Sequence, residues 1–134
     1  MRVSHSFVTH TLEHGVLALL RTSTPLHADD LGDAHERARA LSLRNQRAQT
    51  FIAGRLALHH ALAALGAPHW SSGSNDRGAP TAPPRFVVSL SHKPRMACAL
   101  VARDDGWTRG VDLELMRPVS LSIATRILCA DELA

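Results

Sequence analysis

The chain has 134 residues, 45% of them hydrophobic, with a formal net charge of +3 and an isoelectric point near 9.6, a size and apolar content that fit one compact domain. No stretch approaches the roughly 20 apolar residues that span a bilayer, and the polar start MRVSHSFVTHTLEH does not read as an export signal, so a cytoplasmic protein without a membrane partner is expected. The charge comes from arginine, Lys93 being the only lysine; arginine's planar fork suits phosphate, but GC-rich coding gives the same bias, and composition does not choose between nucleic acid and a phosphorylated cofactor.

Residues 16–20 form a short apolar run that predicts a first strand, interrupted by Thr24 and Pro25. The pattern DAHERARAL at 33–41 predicts a charged helix, and a second helix is expected from Arg44 to Leu65, stopped by Gly66 with Pro68 beyond. Residues 71–84, rich in Gly, Pro, Ser and Asn, are expected to be an ordered loop within the domain rather than a linker, because the strands after it need the helices before it to pack on. Strands are predicted at 86–90, 97–102 and 109–114, with Asp104, Asp105 and Gly106 turning the chain between the last two, which makes an antiparallel meander. After Pro118, the spacing of Ile123, Ile127 and Leu128 predicts another helix. The fold class is therefore α+β, an antiparallel sheet packed with helices. Cys98 and Cys129 have no CxxC or Cys/His cluster around them; a disulfide framework or zinc site is not expected, and both are read as reduced and buried.

Three groups of residues carry potential chemistry. On a helical wheel Arg44, Arg47, Phe51 and Arg55 fall within about 80° of one another, and Leu58, Leu62 and Leu65 continue the face. With the leucine end in the core, the arginine end should sit at its rim, where guanidinium groups either bind phosphate or lie over apolar surface with their heads in water. Asp112 and Glu114 are two apart in a predicted strand and share one face; like charges that close favour a cation, and carboxylates suit Mg²⁺, although a solvated edge gives the same spacing. SLSHKPR at 89–95 places Ser89, Ser91, His92, Lys93 and Arg95 where a strand enters a turn, an anion cradle or an ordinary polar turn. No GxSxG or Ser/His/Asp arrangement appears, and His59 and His60, adjacent in a helix, face differently.

In this order the pieces resemble the 4'-phosphopantetheinyl transferases of the surfactin-synthetase-activating and enterobactin type. The matching residues are RAQTFIAGRLALHHALAALG at 47–66, Gly78-Ala79-Pro80, SLSH at 89–92 and GVDLE at 110–114; RPVSLSIATRIL at 117–128 and Glu132 also look like the family. The resemblance implies transfer of the phosphopantetheine arm of coenzyme A to a serine of an acyl or peptidyl carrier protein, with release of 3',5'-ADP. It implies that Arg55, Ser91 and His92 hold nucleotide phosphates, that Arg47, Gly78 and Pro80 are further coenzyme-binding residues, and that Asp112 and Glu114 hold Mg²⁺.

Members of this type have two similar halves about a pseudo-two-fold axis, and the second half carries a Trp-x-x-Lys-Glu motif whose glutamate completes the metal site and is the expected base. Residues 1–134 contain no such motif, so the resemblance implies a single α+β domain equivalent to the N-terminal half, with no catalytic residue assigned and with a second half-domain or self-association as its complement. A non-catalytic module that binds coenzyme A or a carrier protein is the second reading. A nucleic-acid-binding protein is the third, and it explains neither Asp112 nor Glu114.

Overall fold

The computed structural model describes residues 5–67, 69–75 and 78–114, and beyond these positions 116, 122, 125, 126, 129 and 131. Ile123, Ile127 and Leu128 of the last expected helix, and Glu132, lie outside the described residues. The elements run β1 (His5–Thr11), β2 (Gly15–Thr22), a short 3-10 turn at Ala28–Asp30, α1 (Ala34–Ser42), α2 (Asn45–Ala64), β3 (Phe86–Lys93) and β4 (Met96–Arg103). Every strand pair is antiparallel, in the spatial order β1-β2-β4-β3. The expected α+β architecture is the one found.

The core follows from period-2 alternation meeting one apolar helix. Val16, Ala18 and Leu20 of β2 and Ala97, Ala99 and Val101 of β4 are buried on the face that α2 covers. From α2 come Ile52, Ala53, Ala57, Leu58, Ala61 and Leu62, so the alanines of helix and strand stack in one cluster. The opposite face carries Leu17, Leu19 and Leu100, partly exposed, and Val8 on β1, 51% exposed. α1 is capped by Asp33, whose carboxylate accepts the Glu36 N–H at 2.9 Å. α2 ends as its sequence predicts: the Gly66 and Ala67 N–H groups turn back to Ala63 and Leu62 carbonyls at 3.0 and 2.9 Å.

Three expectations change. The run at 16–20 belongs to the second strand, since β1 precedes it and pairs along its whole length. Residues 109–114 do not form the third strand of a meander. β4 is already paired on both sides, by β2 and β3, and has no free edge. The segment runs instead beside β3 and in the same direction, held by side chains: the Val111 N–H donates to Ser89 Oγ at 3.1 Å and the Leu113 N–H to Ser91 Oγ at 2.9 Å. Cys98 is buried as expected, but Cys129 is exposed, the helical pattern expected to cover it lying outside the described residues.

Candidate functional site

The first half of α2, the loop at 73–81 and the outer strand β3 enclose an open cleft of about 630 Å³. Arg39, Arg47, Arg55 and His92 line it together with Thr50, Phe51, Ser74, Gly78, Pro80 and Ser89, and among the described residues no carboxylate is in its lining. One cleft thus gathers Arg47, Arg55, Gly78, Pro80 and His92 of the eight residues singled out from sequence. The charged side chains of its described lining are basic, which favours a polyanionic ligand.

Each wall has a local cause. The loop folds on itself: the Asn75 N–H donates to the Ala79 carbonyl at 2.8 Å, the Gly78 N–H to the Asn75 carbonyl at 2.9 Å, and the Ala79 N–H to Asn75 Oδ1 at 3.0 Å. Gly78 takes φ +81°, which a residue with a side chain adopts only with strain. Ser72 Oγ and Trp70 Nε1 both donate to the Thr81 carbonyl, at 2.8 and 3.1 Å, closing the base of the loop. On β3, alternation turns His92 into the cleft, where it is exposed, and sends Ser91 to the other face.

Arg55 is not at the rim, as expected from the wheel, but in the floor, 4% exposed. Its guanidinium lies 4.7 Å from the Phe51 ring centroid, and Nη2 donates to Ser74 Oγ at 3.2 Å and the Gly73 carbonyl at 3.4 Å. Nε has no hydrogen-bond partner and stands 3.8 Å from Glu36 Oε1. Burial pushes this guanidinium below its usual value, while the Glu36 charge pulls it back up. Glu36, 2% exposed, went unnoticed in the sequence. Its Oε2 meets His59 Nε2 at 2.7 Å, and its Oε1 accepts the Ser72 N–H at 3.2 Å.

The two acids sit around the edge of β3, apart from the arginines. Along 111–114 the residues alternate between partly buried and exposed, so Asp112 and Glu114 share the exposed side although the segment makes no backbone ladder. Ser91 Oγ donates to Asp112 Oδ1 at 3.1 Å, and Lys93 Nζ lies 3.2 Å from Glu114 Oε1. The structure therefore brings Ser91 together with Asp112, not with His92. Among the described residues no cluster of three or more His, Cys, Asp or Glu could hold a metal by itself.

The family model for the 4'-phosphopantetheinyl transferase N-terminal domain matches residues 35–102, just over half of the chain, and spans nearly all of α1, then α2, the cleft loop, β3 and most of β4. The chain belongs to the 4'-phosphopantetheinyl transferase N-terminal domain family. No curated protein matches it. Among the described residues, no helix is long and apolar enough to cross a membrane.

Proposed function

We propose that this domain binds coenzyme A in the arginine-lined cleft, with Mg²⁺ on Asp112 and Glu114, and serves the transfer of 4'-phosphopantetheine to a serine of an acyl or peptidyl carrier protein, with release of 3',5'-ADP. The observation that carries this reading is the cleft itself, on which three arginines and an exposed histidine converge. Arg47 and Arg55 hold phosphate oxygens, His92 donates to a further one, and the backbone of Gly78 to Pro80 borders the nucleotide. Charge of that kind, fixed beforehand, offsets what develops on the departing nucleotide.

The acids fit Mg²⁺ in donor chemistry. Two carboxylates project to the same exposed side of an extended segment, and such a pair suits an ion that keeps waters and substrate phosphates in its shell. When bound there, Mg²⁺ polarises the phosphoryl group under attack. Ser91 holds Asp112 in place by its hydroxyl, and Lys93 does the same for Glu114.

The proton of the carrier serine needs a base, and Asp112 and Glu114 are committed to the cation. We assign the base to the glutamate of a Trp-x-x-Lys-Glu segment of a second half-domain. Thermal melting with coenzyme A and Mg²⁺, each alone and together, tests the binding part of this reading. The combination should raise the melting temperature more than either component. Equal stabilisation by heparin, indifferent to Mg²⁺, would refute it in favour of generic polyanion binding.

A further inference from the structure

We propose that Glu36 is the positioning residue for Arg55: its buried charge aims the guanidinium into the cleft and so sets the affinity for the phosphates of coenzyme A. This rests on the coenzyme-binding reading above and adds to it a residue that lies outside the cleft.

Glu36 stands in the first turn of α1 and is 2% exposed. A carboxylate so placed is tolerated only with charge and hydrogen-bond compensation. Its compensation comes from the parts that build the cleft: Arg55 Nε at 3.8 Å, His59 Nε2 at 2.7 Å and the Ser72 N–H at 3.2 Å. Arg55 and His59 are four apart on α2, one turn along the same helix face. Ser72 precedes Gly73 and Ser74, which accept from Arg55 Nη2.

The geometry separates two functions of the one side chain. Oε2 and the contact to Ser72 tie α1 to α2 and to the loop, which is structural. The charge facing Arg55 Nε acts on the cleft. Nε has no hydrogen-bond partner, so attraction to Glu36 and the face of Phe51 are what fix the inner side of the guanidinium plane. With that side fixed, Nη2 is held at the loop and the remaining edge is presented to the cleft. Without the charge, the guanidinium loses its inner anchor and pays for ordering each time it meets a phosphate.

The test is a double-mutant cycle read by calorimetric binding of coenzyme A in the presence of Mg²⁺. Glu36→Gln keeps an acceptor for Ser72 and a partner for His59 and removes the charge that faces Arg55. Arg55→Met should weaken binding about ten- to a hundredfold, the range of a charged hydrogen bond. Glu36→Gln should weaken it roughly tenfold, and Glu36→Gln with Arg55→Met should bind no more weakly than Arg55→Met alone. Wild-type affinity in Glu36→Gln, with Arg55→Met impaired, overturns the proposal. So does a further loss in the double variant, since Glu36 would then act on the fold at large. Wild-type affinity in Arg55→Met overturns the coenzyme reading itself. Should Glu36→Gln fail to fold because Arg55 is left unbalanced, the double variant, from which both charges are gone, is compared with Arg55→Met, in which Glu36 keeps its His59 and Ser72 contacts, and a further loss in the double variant again overturns the proposal.

Discussion

The Ser91 hydroxyl donates to the Asp112 carboxylate at 3.1 Å and receives the Leu113 N–H at 2.9 Å. One β3 side chain therefore docks the 111–113 segment and orients the acid proposed for the metal. Ser91→Ala removes both bonds, a loss of about 1–3 kcal/mol in local order. The stabilisation that Mg²⁺ adds to coenzyme A in a melting experiment should shrink, while that of coenzyme A alone persists in EDTA. An equal fall in both would make Ser91 a phosphate contact and not a support for Asp112.

Asp112 and His92 stand on different sides of β3, and their loss should appear in different kinetic constants. In a protein that includes the second half, Asp112→Ala should lower kcat about a hundredfold or more and resist rescue by modest extra Mg²⁺. His92→Ala should chiefly raise KM for coenzyme A. Steady-state kinetics at several Mg²⁺ concentrations checks both, and an active Asp112→Ala enzyme would leave the 111–114 face merely solvated.

Asp33 gives the fold an acid-sensitive joint. Its carboxyl is held below the usual value, first by the Glu36 N–H, with Ser71 and His69 adding to the effect against desolvation. A folded-state pKa lower than the unfolded one means that the contribution is complete above the unfolded value of about 3.9 and fades as pH falls through the folded one. Relative to wild type, Asp33→Asn should be less stable near pH 7, and the gap should narrow as pH falls below about 4. Urea melts across that range measure it, and a gap independent of pH would detach the effect from the carboxylate.

Gly15 pairs with Ala102 where β2 meets β4, and a Cβ there would stand 2.3 Å from the Val101 carbonyl oxygen. Backbone cannot yield as a flexible side chain does. Gly15→Ala should cost about 1–3 kcal/mol in a denaturant melt. Coenzyme A affinity should hold once folding is corrected for, because β2 contributes no residue to the cleft lining.

Much of the fold was legible because its signals are local. Gly66 stops α2 as its sequence predicts, the pattern from Asp33 marks α1 to within a residue of its start, and Val16 or Ala99 declare buried strands by apolar runs. β1 was not legible, since HSFVTHT mixes Phe7 and Val8 with His and Thr, as an edge strand permits. The segment at 109–114 misled because alternation marks an extended chain without saying whether its N–H groups meet carbonyls or, as here, serine hydroxyls. In the site, Arg47, Arg55 and His92, singled out by motif order, line one cleft, and period-2 alternation alone could have separated Ser91 from His92. Glu36 had no such signal. Its partners Arg55, His59 and Ser72 lie 19, 23 and 36 positions away in the chain, and only packing brings them to it.

The alanines between helix and sheet bear on the ligand groove as well as on the core. Ala53, Ala57 and Ala61 of α2 and Ala97 and Ala99 of β4 are buried in the one cluster where helix and sheet pack together. Leucine at any of these places would separate the two layers, because a close-packed interior has no slack to absorb it. The arginines ride on that helix, whereas His92 belongs to the sheet. The width of the groove is therefore gauged one layer below it, by the smallest apolar side chains present. A single bulkier residue there would act as a shim, moving Arg47 and Arg55 away from His92 without altering any residue that faces the coenzyme.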